Sequence, residues 1–102
     1  MEVENRVLGG TSEVKSPDES VQAVVDKVSH HIKQHTGKDH PHFKVVSYKT
    51  QVVAGTNYFV KVDAGDEHLH LRIYEKLPCY GGDIELHGVQ ASKSKEDPIN
   101  YF

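Results

Sequence analysis

Cysteine is nearly absent from this chain of 102 residues, which has Cys79 alone, and tryptophan is absent altogether. A single cysteine cannot form an internal disulfide, so a disulfide-stapled secreted scaffold is excluded. No apolar run reaches the length of a membrane span. The first residues carry Glu2 and Glu4 where a signal peptide has a basic and then an apolar stretch. We therefore expect no signal peptide, no membrane partner and a cytoplasmic location, with the nucleus as a second reducing compartment.

Strong net charge is also lacking. The chain has 15 acidic and 12 basic side chains, which gives a formal charge of −3, and this weakly acidic balance offers no electrostatic basis for nucleic-acid binding. The length suits one domain, and 36% hydrophobic residues suffice for one modest core. We expect a single domain over residues 1–102, in which residues 1–15 form an extended, flexible N-terminal segment.

A helix is predicted after this segment. The stretch from Ser16 to Glu19 is typical of a helix start, with Ser16 as N-cap, Pro17 at the first helical position and Glu19 completing a capping box. Gly37 is expected to end the helix. Apolar residues recur at helical spacing at Val21, Val24, Val25, Val28 and Ile32.

From residue 42 onward the apolar pattern changes to a period of two. Segments 42–53, 58–63, 68–74 and 84–89 are predicted strands, and their short connections imply an antiparallel meander. The alternation in the third segment places His68 and His70 on the solvent face. The predicted fold class is α+β, with one N-terminal α-helix packed on a four- to five-stranded antiparallel β-sheet.

The loops differ in polarity. In a meander the first and third turns lie at one end of the sheet, and here they contain Val52-Val53-Ala54-Gly55 and Leu77-Pro78-Cys79-Tyr80. The second turn, residues 63–67, is charged. Two apolar tips at one end indicate a protein contact. The alternative, in which Val52 and Val53 fold back into the core, stays open at this point.

The first turn also carries a known motif. The stretch TQVVAGTNYFVKV, residues 50–62, resembles the signature hairpin of the stefins, the type 1 cystatins. The helix from Pro17 to Lys27 and the Leu77-Pro78 turn are similar to that family as well. So is the ending Asn100-Tyr101-Phe102, and the resemblance covers residues 8–102.

The resemblance implies a cystatin-like domain that inhibits papain-like cysteine proteases, such as papain and the lysosomal cathepsins. Inhibition would be tight, reversible and non-covalent, without enzymatic activity and without a cofactor. A three-part wedge, made of the N-terminal glycine segment and two hairpins, would block the active-site cleft. The candidate protease-binding residues are Leu8, Gly9, Gly10, Gln51, Val52, Val53, Ala54, Gly55, Leu77, Pro78 and Cys79.

The residues also allow three other interpretations. A histidine-rich metal-binding module would use the pairs His31/His35, His40/His42 and His68/His70, whose spacings suit zinc. A thiol enzyme would use Cys79 as nucleophile, but no flanking signature supports this role. A structural or signalling domain without a protease target is not separated by pattern alone.

The expected oligomeric state is a monomer, with a domain-swapped dimer as a second form. Residues 47–60 contain no proline and are rich in Val, Tyr and Thr, so the segment could open into one long strand. The helix and first strand of one chain would then pack on the remaining strands of another. The first hairpin would be lost in such a dimer, which would not inhibit.

The N-terminal segment gives the first testable prediction. Deleting residues 1–6 should leave inhibition of papain unchanged, whereas deletion through Gly10 should raise the dissociation rate, because the arm adds contacts to those of the hairpins. Dissociation rates of both truncated chains from papain would be compared with the full chain. Equal rates for the two truncations would contradict a role for Gly9.

Overall fold

The computed structural model describes residues 11–102, which form one helix and one sheet. Helix α1 (Glu19–Thr36) is followed by strands β1 (Lys44–Val53), β2 (Gly55–Asp63), β3 (His68–Glu75) and β4 (Ile84–Lys93). A short 3-10 helix, Pro78–Tyr80, lies between β3 and β4. The strands pair antiparallel in the order β1-β2-β3-β4, which confirms the predicted α+β meander with one helix on a four-stranded sheet. Within residues 11–102, no helix is long and apolar enough to cross a membrane.

Helix α1 begins two residues later than a Ser16 cap would place it. Its N-cap is Asp18, whose carboxylate accepts a hydrogen bond from the Val21 N–H at 2.9 Å and another from the Tyr48 hydroxyl at 2.6 Å. The bond from Tyr48 is the first cause that lowers the pKa of Asp18 to about 2. The predicted Ser16 cap and capping box are therefore wrong. Asp18 is the cap instead, and its carboxylate is held in place by the hydroxyl of Tyr48 from β1. Gly37 ends the helix as predicted, with φ +76° and its N–H donated to the Lys33 carbonyl.

The front face of the sheet carries the main core. The predicted apolar stripe of α1 is buried over its whole length, which confirms the orientation of the helix. The side chains that it joins in the core share one face of the two central strands, with two flanking residues from β1 and one from the β2–β3 turn. They are Val45, Tyr48, Val60, Val62, Ala64, Leu69, Leu71 and Ile73. Burial of side chains of this kind stabilises the fold by about 1.5–3 kcal/mol each.

The back face of the sheet is covered by the segment after β4. The ring of Phe59 is fully buried and lies 5.4 Å from the ring of Tyr101 and 5.9 Å from that of Phe102, measured between centroids. The buried ammonium of Lys61 donates to the main-chain oxygens of Lys95, at 2.6 Å, and of Asp97. Residues 95–102 are thus fixed to this face by apolar and polar contacts together.

His70 shows that the back face is not a solvent face. It pairs across strands with Lys61 and is 0% exposed, so its predicted place in solvent is wrong. Neither ring nitrogen has a hydrogen-bond partner within the described residues. Burial, with the nearby charges of Lys61, Lys93 and His68, lowers the pKa of His70 to about 4, against an opposing effect of Asp97. The alternation in β3 matches the structure, but it carries no information about the segment that covers the back face.

This buried histidine should make the fold sensitive to mild acid. The unfolded chain protonates His70 near pH 6.5 and the folded chain only near pH 4. The unfolded state therefore binds more protons between these values, and stability falls as the pH drops from about 6.5 toward 4. His70→Leu should flatten the dependence of the melting temperature on pH in this window. His35→Gln, at an exposed helical position, is the matched control and should leave the slope as in wild type. An unchanged slope in His70→Leu would contradict the assignment.

Candidate functional site

The first hairpin presents two valines to solvent. Strands β1 and β2 are paired up to Val53 and Gly55, so that only Ala54 stands between them. Val52 is 76% exposed and Val53 is 42% exposed, which rules out the alternative that they fold back into the core. Gly55 is buried and has φ +123°, a region that favours glycine. The hairpin is thus a tight apolar projection.

The second hairpin carries the other predicted apolar tip. The turn after Leu77 is closed by the N–H groups of Tyr80, which donates to the Leu77 carbonyl at 2.9 Å, and of Gly81, which donates to the Pro78 carbonyl at 3.1 Å. Leu77 is 38% exposed and Tyr80 is 70% exposed. Pro78 and Cys79 are exposed as well. This tip is held in shape by its own backbone bonds.

The two tips lie at the same end of the sheet, as the order of the strands predicts. Register places Thr56 of β2 opposite Glu75 of β3, and Glu75 in turn opposite Ile84 of β4. A Cβ atom on Gly55 would lie 2.4 Å from the Glu75 carbonyl oxygen, so the backbones approach as closely as glycine allows. The Tyr74 hydroxyl donates a hydrogen bond to the Ala54 carbonyl. The first tip therefore rests directly on the strand that leads into the second.

A row of polar side chains crosses the back face of the sheet behind the tips. Gln51 and Asn57 are buried, and the Asn57 amide donates to the Gln51 side-chain oxygen at 2.9 Å. Asn57 lies opposite Tyr74 in register. The Tyr74 ring stacks on His87, with centroids 5.5 Å apart, and a ring nitrogen of His87 lies 3.0 Å from the Glu85 carboxylate. This contact holds the pKa of Glu85 below its usual value.

Residues 11–15 run beside β1 toward the same end of the sheet. The Lys15 N–H donates to the Tyr48 carbonyl at 2.8 Å, and the Ser12 N–H donates to the Thr50 carbonyl at 2.7 Å. As residue numbers fall from 15 to 12, the partners on β1 thus advance toward the Val53 tip. The predicted site residues Leu8, Gly9 and Gly10 lie outside the described part of the chain.

The residues that a thiol enzyme or a histidine-rich metal site would need lie apart from one another in the structure. Within residues 11–102 the exposed Cys79 thiol has no histidine hydrogen bond. His31 and His35 are exposed on α1, His42 lies 3.6 Å from Asp63, and His70 is buried. Among the described residues, only His40, Asp66 and Glu67 could converge on one ion. The Lys38 ammonium already pairs with Glu67 there at 2.7 Å. The predicted histidine pairs do not assemble into one site.

Sequence reasoning missed the supports of the site. It selected Gln51 but neither Asn57 nor Tyr74, because side chains that lie far apart in the chain meet only through strand register. A signal was present in the alternation of β3, which places Tyr74 on the face opposite to Ile73.

Gly55 and Gly37 form a matched pair for a stability test. Both have positive φ, but a Cβ on Gly37 would meet no atom within 4 Å, whereas one on Gly55 would collide with the Glu75 carbonyl. Gly37→Ala should lower the free energy of unfolding by about 1 kcal/mol. Gly55→Ala should lower it by about 2–3 kcal/mol, because a steric clash is added to the backbone strain. Urea denaturation measures both, and equal losses would contradict the close approach of β2 and β3.

Comparison with known proteins agrees with this geometry. Residues 9–96 match the family model of the cystatin domain. The chain is 50% identical over 97 residues to cystatin-B of Oplegnathus fasciatus, covering 94% of this chain and 97% of that protein. It is 42% identical over 97 residues to cystatin-A of Homo sapiens, covering 94% of this chain and 99% of that protein. The comparisons give no support to a histidine-rich metal-binding module. The family match and these relatives agree with the paired hairpins, and they show that the chain belongs to the stefins of the cystatin family of cysteine protease inhibitors.

Proposed function

We propose that the two hairpins form a wedge that enters the active-site cleft of a papain-like cysteine protease. The observation that carries this proposal is the pair of exposed apolar tips, Val52-Val53 and Leu77, held at one end of the sheet by the contact of Gly55 with Glu75. Apolar groups exposed together on a rigid support are suited to a dry cleft.

Each apolar anchor contributes by burial. A valine or leucine side chain that passes from water into a fully apolar contact gains about 1.5–3 kcal/mol. The tips need little further ordering, because β-pairing fixes the first and backbone hydrogen bonds close the second. Gly55 and Ala54 keep the first tip thin, Gln51 supports its base, and Pro78 stiffens the second tip beside Cys79.

Inhibition by such a wedge is reversible and non-covalent. The contacts proposed for both tips are apolar, and none of them forms a covalent bond with the protease nucleophile. The inhibitor should therefore leave the complex intact and uncleaved. Papain and the lysosomal cathepsins are the proposed targets, since a wedge with two tips at one end fits an extended cleft.

The N-terminal segment supplies the third part of the proposed wedge. Residues 12–15 pair with β1 and advance toward the Val53 tip as their numbers fall. Leu8, Gly9 and Gly10 precede this paired segment by a few residues, and three residues of extended chain span about 10 Å. Because the paired segment runs toward the Val53 tip, it supports the proposal that Leu8, Gly9 and Gly10 contact the protease beside the first hairpin.

We propose that the monomer is the active form. Opening of the β1–β2 connection in a domain-swapped dimer would remove the tight turn at Ala54, and with it the first tip. The cytoplasm, with the nucleus as a further compartment, is the proposed location, in keeping with the single exposed cysteine.

Val53→Asp tests the wedge. The substitution places a carboxylate where the proposal has a dry contact, so the inhibition constant for papain should rise at least about 100-fold. The fold should stay intact because Val53 is exposed in the free protein. Val14→Asp is the matched control: it introduces the same charge at a valine that is 57% exposed and lies outside both tips, next to Lys15, whose N–H bonds to Tyr48 in the middle of β1.

Titration of papain activity, with circular dichroism of each variant, provides the measurement. Wild type and Val14→Asp should inhibit at one-to-one stoichiometry. Equal inhibition by Val53→Asp would remove the first hairpin from the site.

A further inference from the structure

We propose that Tyr74 is a positioning residue, whose hydroxyl holds the tip of the first hairpin in its protease-binding shape. The inference rests on the proposed function of that hairpin as part of the wedge. Tyr74 belongs to β3, which leads into the second hairpin, and its hydroxyl donates to the carbonyl of Ala54. Ala54 is the one residue between the paired ends of β1 and β2.

The contact is close as well as polar. A Cβ atom on Gly55 would lie 2.9 Å from the Tyr74 hydroxyl oxygen and 3.0 Å from the nearest carbon of its ring. The ring therefore packs against the backbone at the point where β2 begins, while its hydroxyl caps the tip carbonyl. The hydroxyl acts on Ala54 and the ring on Gly55, so the side chain restricts the tip at two neighbouring residues.

Tyr74 can position the tip because it is itself held. Its ring stacks on His87 at an interplanar angle of 26°, and His87 contacts the Glu85 carboxylate at 3.0 Å. Glu85 in turn lies 3.8 Å from the Lys76 ammonium, at the base of the second hairpin. The hydroxyl is therefore presented by a stacked ring on a central strand, and the support connects one hairpin with the other.

The physical effect expected is pre-organisation. A hairpin tip that moves freely must be ordered when it binds, and that ordering weakens affinity. A tip whose carbonyl already accepts a hydrogen bond from a rigid strand loses less freedom on binding. One such bond contributes about 0.5–1.5 kcal/mol net, which corresponds to about a two- to twelvefold change in affinity.

Tyr74→Phe removes the hydroxyl and keeps the ring, so it tests this role directly. The dissociation constant of the complex with papain should rise about five- to tenfold, with little change in the melting temperature. Tyr48→Phe is the matched control, because it also removes a hydroxyl that donates a hydrogen bond, to Asp18 at the distant N-cap of α1. This control should lower the melting temperature and leave the dissociation constant as in wild type.

A double-mutant cycle separates positioning from direct contact. If the hydroxyl acts through the first hairpin, Tyr74→Phe should have little effect once Val53→Ala has removed an anchor of that hairpin. In a Leu77→Ala background it should keep its full effect, because the second hairpin does not depend on it. Additive effects in the Val53→Ala background would make Tyr74 a contact residue instead and would overturn the proposal.

The failure of this inference can be told from the failure of the proposed function. If wild type does not inhibit papain, the wedge itself is wrong. If wild type inhibits and Tyr74→Phe binds with the same dissociation constant, the wedge stands and the positioning role of Tyr74 is refuted.

Discussion

The close approach of Gly55 to the Glu75 carbonyl governs how the two hairpin tips are arranged. Only a residue without a side chain can occupy that position, since a Cβ there would lie 2.4 Å from the carbonyl oxygen. The approach brings the start of β2 against the end of β3, and β3 leads directly into the second hairpin. The spacing of the two apolar tips is therefore fixed by backbone contact, and the tips need only supply apolar surface.

The sheet that carries the tips is covered on both faces by different means. On the front, the apolar stripe of α1 packs on the side chains of the central strands, which is ordinary apolar burial. On the back, the covering segment 95–102 is held in two ways. The rings of Tyr101 and Phe102 pack on Phe59, and the Lys61 ammonium donates to two main-chain carbonyls of the segment. A buried charge is stable there because carbonyl oxygens replace its water. The same burial leaves His70 uncharged near neutral pH.

The sequence predicted the parts of the structure that depend on periodicity and turn chemistry. Local patterns predicted the buried stripe from Val21 to Ile32 and the end of the helix at Gly37. The short connections predicted the order of the strands, and in an antiparallel meander the first and third turns share one end, which placed the exposed tips at Val52 and Leu77 together. What could not be predicted depends on contacts between distant residues. Ser16 looked like the better cap because the hydroxyl of Tyr48 cannot be located from sequence, and His70 looked exposed because its alternation does not reveal a later covering segment. The N-terminal glycine site followed only from resemblance.

The shared cap at Asp18 has a consequence for the order of folding. One oxygen of its carboxylate accepts the Val21 N–H and caps the start of the helix, and the other accepts the hydroxyl of Tyr48, 30 residues away in the chain. Valine-rich helices nucleate poorly by themselves, so α1 gains little by forming before its cap is in place. Helix nucleation is then coupled to a non-local contact with β1, and the two elements should become ordered in one cooperative step. We therefore expect the helix to become stable only when the first strand supplies the Tyr48 hydroxyl to its cap.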